Sequence, residues 1–267
     1  VATPEQIIVA HQGMVEGVRT RVENYAKFAW QRAGSWRDQD VDRLVALIVP
    51  RVQAGQVKTA QLTAAYLAAL ETARTGVPVA AAIVNRELVT MARAVPAEVV
   101  YRRPAKTMYK ALTEGATLTQ AVSQGLVRLQ SLVATDHQLA KTTQSRESMT
   151  DRGFTFMRRV LTGRENCALC AIASTQRYRV QDLLPIHPNC DCSVDTVEVS
   201  RDPGQVIDSS LLELVHSAVE AKTGQSDRGA RDPDYRDLLL VREHGELGPV
   251  LTWRKDNFTG PGDLPTA

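Results

Sequence analysis

Four cysteines within 26 residues, and none elsewhere in the 267, constrain this chain more than any other feature. Cys167-Ala168-Leu169-Cys170 is followed by sixteen residues and then by His187-Pro188-Asn189-Cys190-Asp191-Cys192. Thiolate and neutral imidazole are donors that a tetrahedral zinc ion takes four at a time. One tight turn can present Cys167 and Cys170 to a single ion, and His187 with Cys190 or Cys192 can supply the second pair. Pro185 and Pro188 stiffen that second approach. Cys190 and Cys192 stand at i and i+2, which in a strand places both on one face, so both can ligate instead. The metal candidates are therefore Cys167, Cys170, His187, Cys190 and Cys192, one more than an ion needs. A site closed by four protein ligands keeps no position for water and is structural, contributing folding energy rather than chemistry.

Two other uses of these thiols stay open. Disulfides, for instance from Cys167 or Cys170 to a partner near Cys190, form where a protein meets an oxidising setting, and buried thiols need no partner at all. A soluble protein of intracellular origin is the expectation, which favours metal or thiols over a disulfide framework. Residues 1–20 mix polar and apolar side chains and lack the unbroken hydrophobic stretch of a secretory leader. No apolar run approaches the roughly 18 residues that span a bilayer. A thioredoxin-like pair would sit in a βαβ unit, whereas Cys167 follows a helical pattern. A zinc deaminase would need His-x-Glu followed by Pro-Cys-x-x-Cys, and no such glutamate general acid precedes the cysteines here.

The rest of the chain reads as helix before the cysteines and as a looser segment after them. With 43% hydrophobic and only 5% aromatic residues, alanine, leucine and valine supply most of the packing. Thr3-Pro4-Glu5-Gln6 is a helix start with a capping box, and the apolar positions that follow predict a helix to about residue 32. Ser35 is placed to cap a second helix, ended by Pro50 and Gly55, and a third runs from about residue 59 to Gly76. Three antiparallel helices with short turns predict a bundle. Residues 85–94 read as helix, Val99-Val100-Tyr101 as an extended connector between Pro96 and Pro104, and Pro104 as the start of a short helix closed by Gly115. Thr117 or Thr119 opens the longest periodic segment. Its largest break is the polar run from 141 to 153, after which Phe154, Met157, Val160 and Leu161 resume helical spacing. Beyond the cysteines, residues 194–199 predict a strand, 210–221 a helix, 223–233 a linker, 238–253 a hairpin and 256–267 a frayed end. The expected fold class is mainly α, with segments 1–162 (bundle plus long helix), 163–200 (Cys/His knot of α+β type) and 201–267 (short helix and hairpin).

A net charge of +2 argues by itself for neither nucleic acid nor membrane. Arg152, Arg158, Arg159 and Arg164 could face phosphate at the end of the long helix, joined by Arg177 and Arg179. Asp151, Glu165 and Asp182 are interspersed among them, a pattern that favours an ion-paired surface over a DNA contact. His11, His137, His216 and His244 form no spacing motif and read as surface or half-buried residues. No Gly-x-Ser-x-Gly elbow, Walker loop or Gly-x-Gly-x-x-Gly stretch occurs, so no enzymatic activity is expected.

A helical region followed by Cys-x-x-Cys and then by His-Pro-x-Cys-x-Cys resembles the Mu F-like minor head proteins of tailed bacteriophages. Cys167, Cys170, His187, Pro188, Cys190 and Cys192 carry the likeness. Arg158-Arg159-Val160-Leu161-Thr162 and Glu243-His244-Gly245-Glu246-Leu247-Gly248-Pro249-Val250 add to it, in the form found in phages of actinobacterial hosts. The resemblance implies a minor capsid protein inside the virion head, assembled in the host cytoplasm and held in several copies around the portal. Its expected partners are the portal protein, the inner head wall and packaged double-stranded DNA, and its expected role lies in head morphogenesis and DNA packaging or ejection. Where the family often has a basic residue between the last two cysteines this chain has Asp191, so the knot itself is not expected to grip DNA. The alternative from another class is a zinc-stapled nucleic-acid-binding module.

Overall fold

A computed structural model describes residues 2–93, 95–162, 168–185, 192–198, 202–223, 239–244 and 248–253. The protein is mainly helical, with a small antiparallel sheet. Helix α1 spans Pro4–Gln31, α2 Asp38–Thr75, α3 Arg86–Thr90, α4 Ala97–Tyr101, α5 Arg103–Thr113 and α6 Leu118–Asp151. Strand β1 (Phe156–Val160) follows, then α7 (Ala168–Ser174), β2 (Arg177–Arg179) and β3 (Ser193–Val197). Helix α8 (Ser209–Thr223) and the paired strands β4 (Leu239–His244) and β5 (Gly248–Trp253) close the sequence of elements. None of the described helices is long and apolar enough to cross a membrane.

Two compact units emerge, and neither is continuous in sequence. One comprises Gly13–Thr63 and Ile83–Gln144; the other comprises Val1–Gln12, Ala64–Ala82 and Ser145–Ala267. Each of the long helices α1, α2 and α6 contributes residues to both. The segments 1–162, 163–200 and 201–267 therefore describe order along the chain, while the units describe packing.

The first unit is helical. Its core gathers Trp30, Ile48, Val52, Met108, Leu129 and Leu132 with their neighbours. The Trp30 indole N–H donates to Val122 O at 3.1 Å, satisfying the polar end of a buried aromatic side chain. Two glycines make the close approaches possible. A Cβ at Gly125 would overlap the Trp30 ring, and one at Gly55 would stand 2.5 Å from His137 Nε2. Gly55 was read above as the end of a helix, yet both glycines are contact points between helices.

The second unit holds the three-stranded sheet, in the order β2-β1-β3. Met157 pairs with Tyr178 on one side and Thr196 on the other. Tyr66, Leu70, Met149, Met157, Cys170, Tyr178, Leu183 and Cys192 belong to one buried cluster.

Four expectations about elements need correction. Helix α2 runs unbroken through Pro50 and Gly55. Pro50 and Ala46 are both exposed, so the carbonyl deprived of its donor lies on the solvent side, where water satisfies it. Residues 99–101 belong to α4, for which Pro96 is the N-cap, while Pro104 occupies the first turn of α5. The two prolines thus start helices rather than bracket an extended strand. The polar run after 141 is helical to Asp151, because Gln144, Ser145 and Ser148 are buried there rather than looped out. Gly153, at φ +73°, ends α6 with bonds from its own N–H to Thr150 O and from Phe154 N–H to Met149 O. Residues 156–160 then form a strand, so the helical spacing of Met157 and Val160 is coincidental.

Other expectations match. Thr3 and Gln6 form the capping box, with Thr3 N–H to Gln6 Oε1 at 3.0 Å and Gln6 N–H to Thr3 Oγ1 at 3.3 Å. Asn85 caps α3 through Leu88 N–H, although that helix covers only Arg86–Thr90 of the expected 85–94, and Thr117 caps α6 through Gln120 N–H. Of the linker expected at 223–233, Thr223 is the last residue of α8, while 224–233 and the end at 256–267 lie outside the described residues.

Candidate functional site: the cysteine-bearing sheet

Short elements of the second unit bring two of the four cysteines into one core. Cys170 lies in α7 and is 2% exposed; Cys192 directly precedes β3 and is 5% exposed. Both belong to the buried cluster that contains Met149 of α6 and Tyr66 of α2. Tyr66 ties helix to sheet, since its hydroxyl donates to Val194 O at 3.1 Å. Burial pushes the Tyr66 phenol well above its usual range, and the Asp195 carboxylate adds to the shift. His11 stacks on the same ring, with centroids 4.1 Å apart and planes 9° from parallel.

Cys167, His187 and Cys190 lie outside the described residues, so the structure places two of the five candidate ligands. Among the described residues no group of three or more donors is arranged around a metal. The chemistry near Cys192 suits a metal thiolate. Arg159, on β1 and only 6% exposed, donates through Nη1 to Cys192 Sγ at 3.4 Å and through Nη2 to Leu184 O. A neutral thiol is a weak acceptor, whereas thiolates carrying net negative charge around zinc offset the desolvation of a buried guanidinium. Zinc held there would supply a structural cross-link and no chemistry, with Cys170 and Cys192 among the residues that would hold it.

The arginines read as a basic patch point elsewhere. Arg152 is ion-paired with Glu71 at 2.7 Å and donates to Ala80 O at 2.8 Å. Arg158 reaches Asp195 Oδ2 at 3.0 Å, across the register that sets the two residues opposite each other. Arg74 of α2 also pairs with Asp195 Oδ2 and donates to Thr196 Oγ1 at 3.0 Å. Burial opposes the Arg74 charge, but the hydrogen bond and charge of Asp195 outweigh it and raise the pKa. Asp195 itself is fully buried, so two guanidiniums neutralise one carboxylate beneath the sheet. Arg177 pairs with Asp202 and lies 3.9 Å from the Phe156 ring centroid. Arg164 lies outside the described residues. The three described members of the quartet thus make internal contacts, and Arg159 has almost no solvent face.

Sequence reasoning missed Asp195 and Arg74, whose 121-residue separation leaves no local signal. It also placed the histidines too far outside: His11, His137 and His216 are all buried, and the His137 ring is bonded through Nδ1 to Val133 O at 2.9 Å. For His244 the structure gives the strand alone.

Compared with known protein families, with curated proteins and with solved structures, the chain matches none.

Proposed function

We propose that this is a minor capsid protein of a tailed phage, of the Mu F-like type, located inside the head at the portal. Its long helices provide the docking surfaces, and a zinc-stapled knot locks the end of α6 and the sheet into one body. The observation that supports the reading is the burial of Cys170 and Cys192 in a single core, with Arg159 donating to one sulfur. That arrangement suits a staple, since neither of the two described candidate ligands is exposed to substrate or solvent. Zinc would contribute folding energy on the order of 10 kcal/mol and take part in no reaction.

The alternative, a nucleic-acid-binding module around the same zinc, has less behind it. Arg152 and Arg158 are engaged with carboxylates, and Arg159 is buried. Co-expression with the portal protein of the same phage separates the two readings. Co-purification with portal oligomers in fixed stoichiometry at moderate salt is the expected result. Passage of portal without this chain, together with duplex-DNA affinity that falls steeply with salt, overturns it.

A further inference from the structure

The helical unit carries an open groove of about 320 Å³ where α1 gives way to α2. Its floor is apolar: Tyr25 and Phe28 come from α1, Leu44 and Leu47 from α2. Phe28 is 55% exposed and Leu47 57%. Helical spacing builds both walls, since Tyr25, Phe28 and Arg32 share one face of α1, while Leu44, Leu47 and Arg51 share one face of α2. A lone exposed leucine needs no explanation, but an aromatic and aliphatic strip within a concave surface does.

The rim is basic. The Arg32 guanidinium lies 4.9 Å from the Phe28 ring centroid and that of Arg51 5.3 Å from the Tyr25 centroid. Arg43 is largely exposed and reaches Asp40 at 3.1 Å. Arg32 and Arg43 thus line the groove and Arg51 stands beside its Tyr25 wall, against Asp40 as the carboxylate in the lining. Aromatic residues and arginine are the side chains that dominate binding energy at protein interfaces.

We propose that this groove docks an amphipathic helix of another protein, with apolar side chains at i, i+3 and i+4 spacing and Asp or Glu flanking them. The apolar ridge fills the strip, and the flanking carboxylates take the forked guanidinium donors of Arg32, Arg43 and Arg51. From Tyr25 to Arg32 the wall is about 10 Å long, room for two turns of such a helix. A second copy of this chain fits poorly, because a twofold contact through the groove sets arginine against arginine. The inference rests on the groove alone and holds whether or not the protein sits at a portal.

The test uses the full chain and two fluorescein-labelled synthetic helices of about four turns. Both carry leucine at i, i+3, i+4 and i+7; one has glutamate on the flanks and the other lysine at the same positions. Fluorescence anisotropy is expected to show the glutamate peptide binding at least about tenfold more tightly than the lysine peptide. Arg43→Glu is expected to narrow or reverse that preference. Leu47→Ser is expected to weaken the glutamate peptide about tenfold while leaving the circular dichroism unchanged, because Leu47 is already more than half exposed. Absence of binding, equal affinity for the two peptides, or indifference to Arg43→Glu overturns the proposal. So does concentration-dependent dimerisation abolished by Leu47→Ser, which assigns the groove to a second copy.

Discussion

Alanine at Gly55 is the sharpest probe of how the helical unit packs. In an exposed helix interior, glycine to alanine ordinarily stabilises by about 1 kcal/mol. At Gly55 the new methyl would stand 2.5 Å from His137 Nε2 and 2.9 Å from Val22 Cγ2. The imidazole cannot swing aside cheaply, because it is buried and its Nδ1–H donates to Val133 O at 2.9 Å. Val22 belongs to α1 and His137 to α6, so relief requires α2 to withdraw from both. Overpacking of that kind costs about 1–3 kcal/mol. After the propensity gain, a net loss of up to about 2 kcal/mol remains. Gly13 is the internal control: it is exposed on α1 and an added Cβ meets nothing within 4 Å, so Gly13→Ala is expected to gain about 1 kcal/mol. Urea unfolding followed by circular dichroism gives both values on one scale. A Gly55→Ala variant as stabilised as Gly13→Ala would refute the close approach of these helices.

Other consequences concern charge and thiols. The His137 pKa is lowered below the ordinary 6.5, chiefly by burial, with Arg19 acting in the same direction and the Val133 bond and Asp136 opposing. Its stabilising effect is complete above pH 6.5, where folded and unfolded imidazoles are both neutral, and declines below it as only the unfolded chain takes up the proton. Urea titrations from pH 7.5 down to about 5 should show this loss, at most about 1.4 kcal/mol per pH unit, and His137→Gln should flatten it. Asp195→Asn removes the countercharge shared by Arg74 and Arg158 and should cost about 3 kcal/mol; wild-type stability in that variant would show that the buried pairings contribute nothing. On the proposed zinc staple, Cys170→Ser should lower the zinc content and expose the segment around α7 and β3 to protease while the far-ultraviolet helical signal persists, since α1, α2 and α6 depend mainly on other contacts. Unchanged protease resistance would make the cluster dispensable.

Much of the helical scaffold was legible because its signals are local. The capping box at Thr3 and Gln6, the helix start at Pro104 and the turn at Gly115 each follow from a few neighbouring residues. What stayed hidden depends on who the neighbours are in space. Pro50 reads as a break until its exposure supplies water for the carbonyl it orphans, and Gly125 reads as a flaw until Trp30 fills the space above it. The stretch after residue 141 lacked an apolar stripe because this part of α6 buries polar side chains, which periodicity cannot detect. Of the clustered cysteines, Cys170 and Cys192 are buried in one core. The pairing of Arg74 with Asp195 is a long-range contact, and no spacing rule could have found it.

The central claim, a zinc-stapled minor capsid protein at the portal, meets its most direct test in a reconstruction of the head–portal vertex of virions that carry this chain. The expected result is density for α1, α2 and α6 against the portal inside the head, with a single metal peak bound by four of Cys167, Cys170, His187, Cys190 and Cys192. Virions whose vertex lacks the chain, or a knot closed by disulfides with no metal peak, would contradict it.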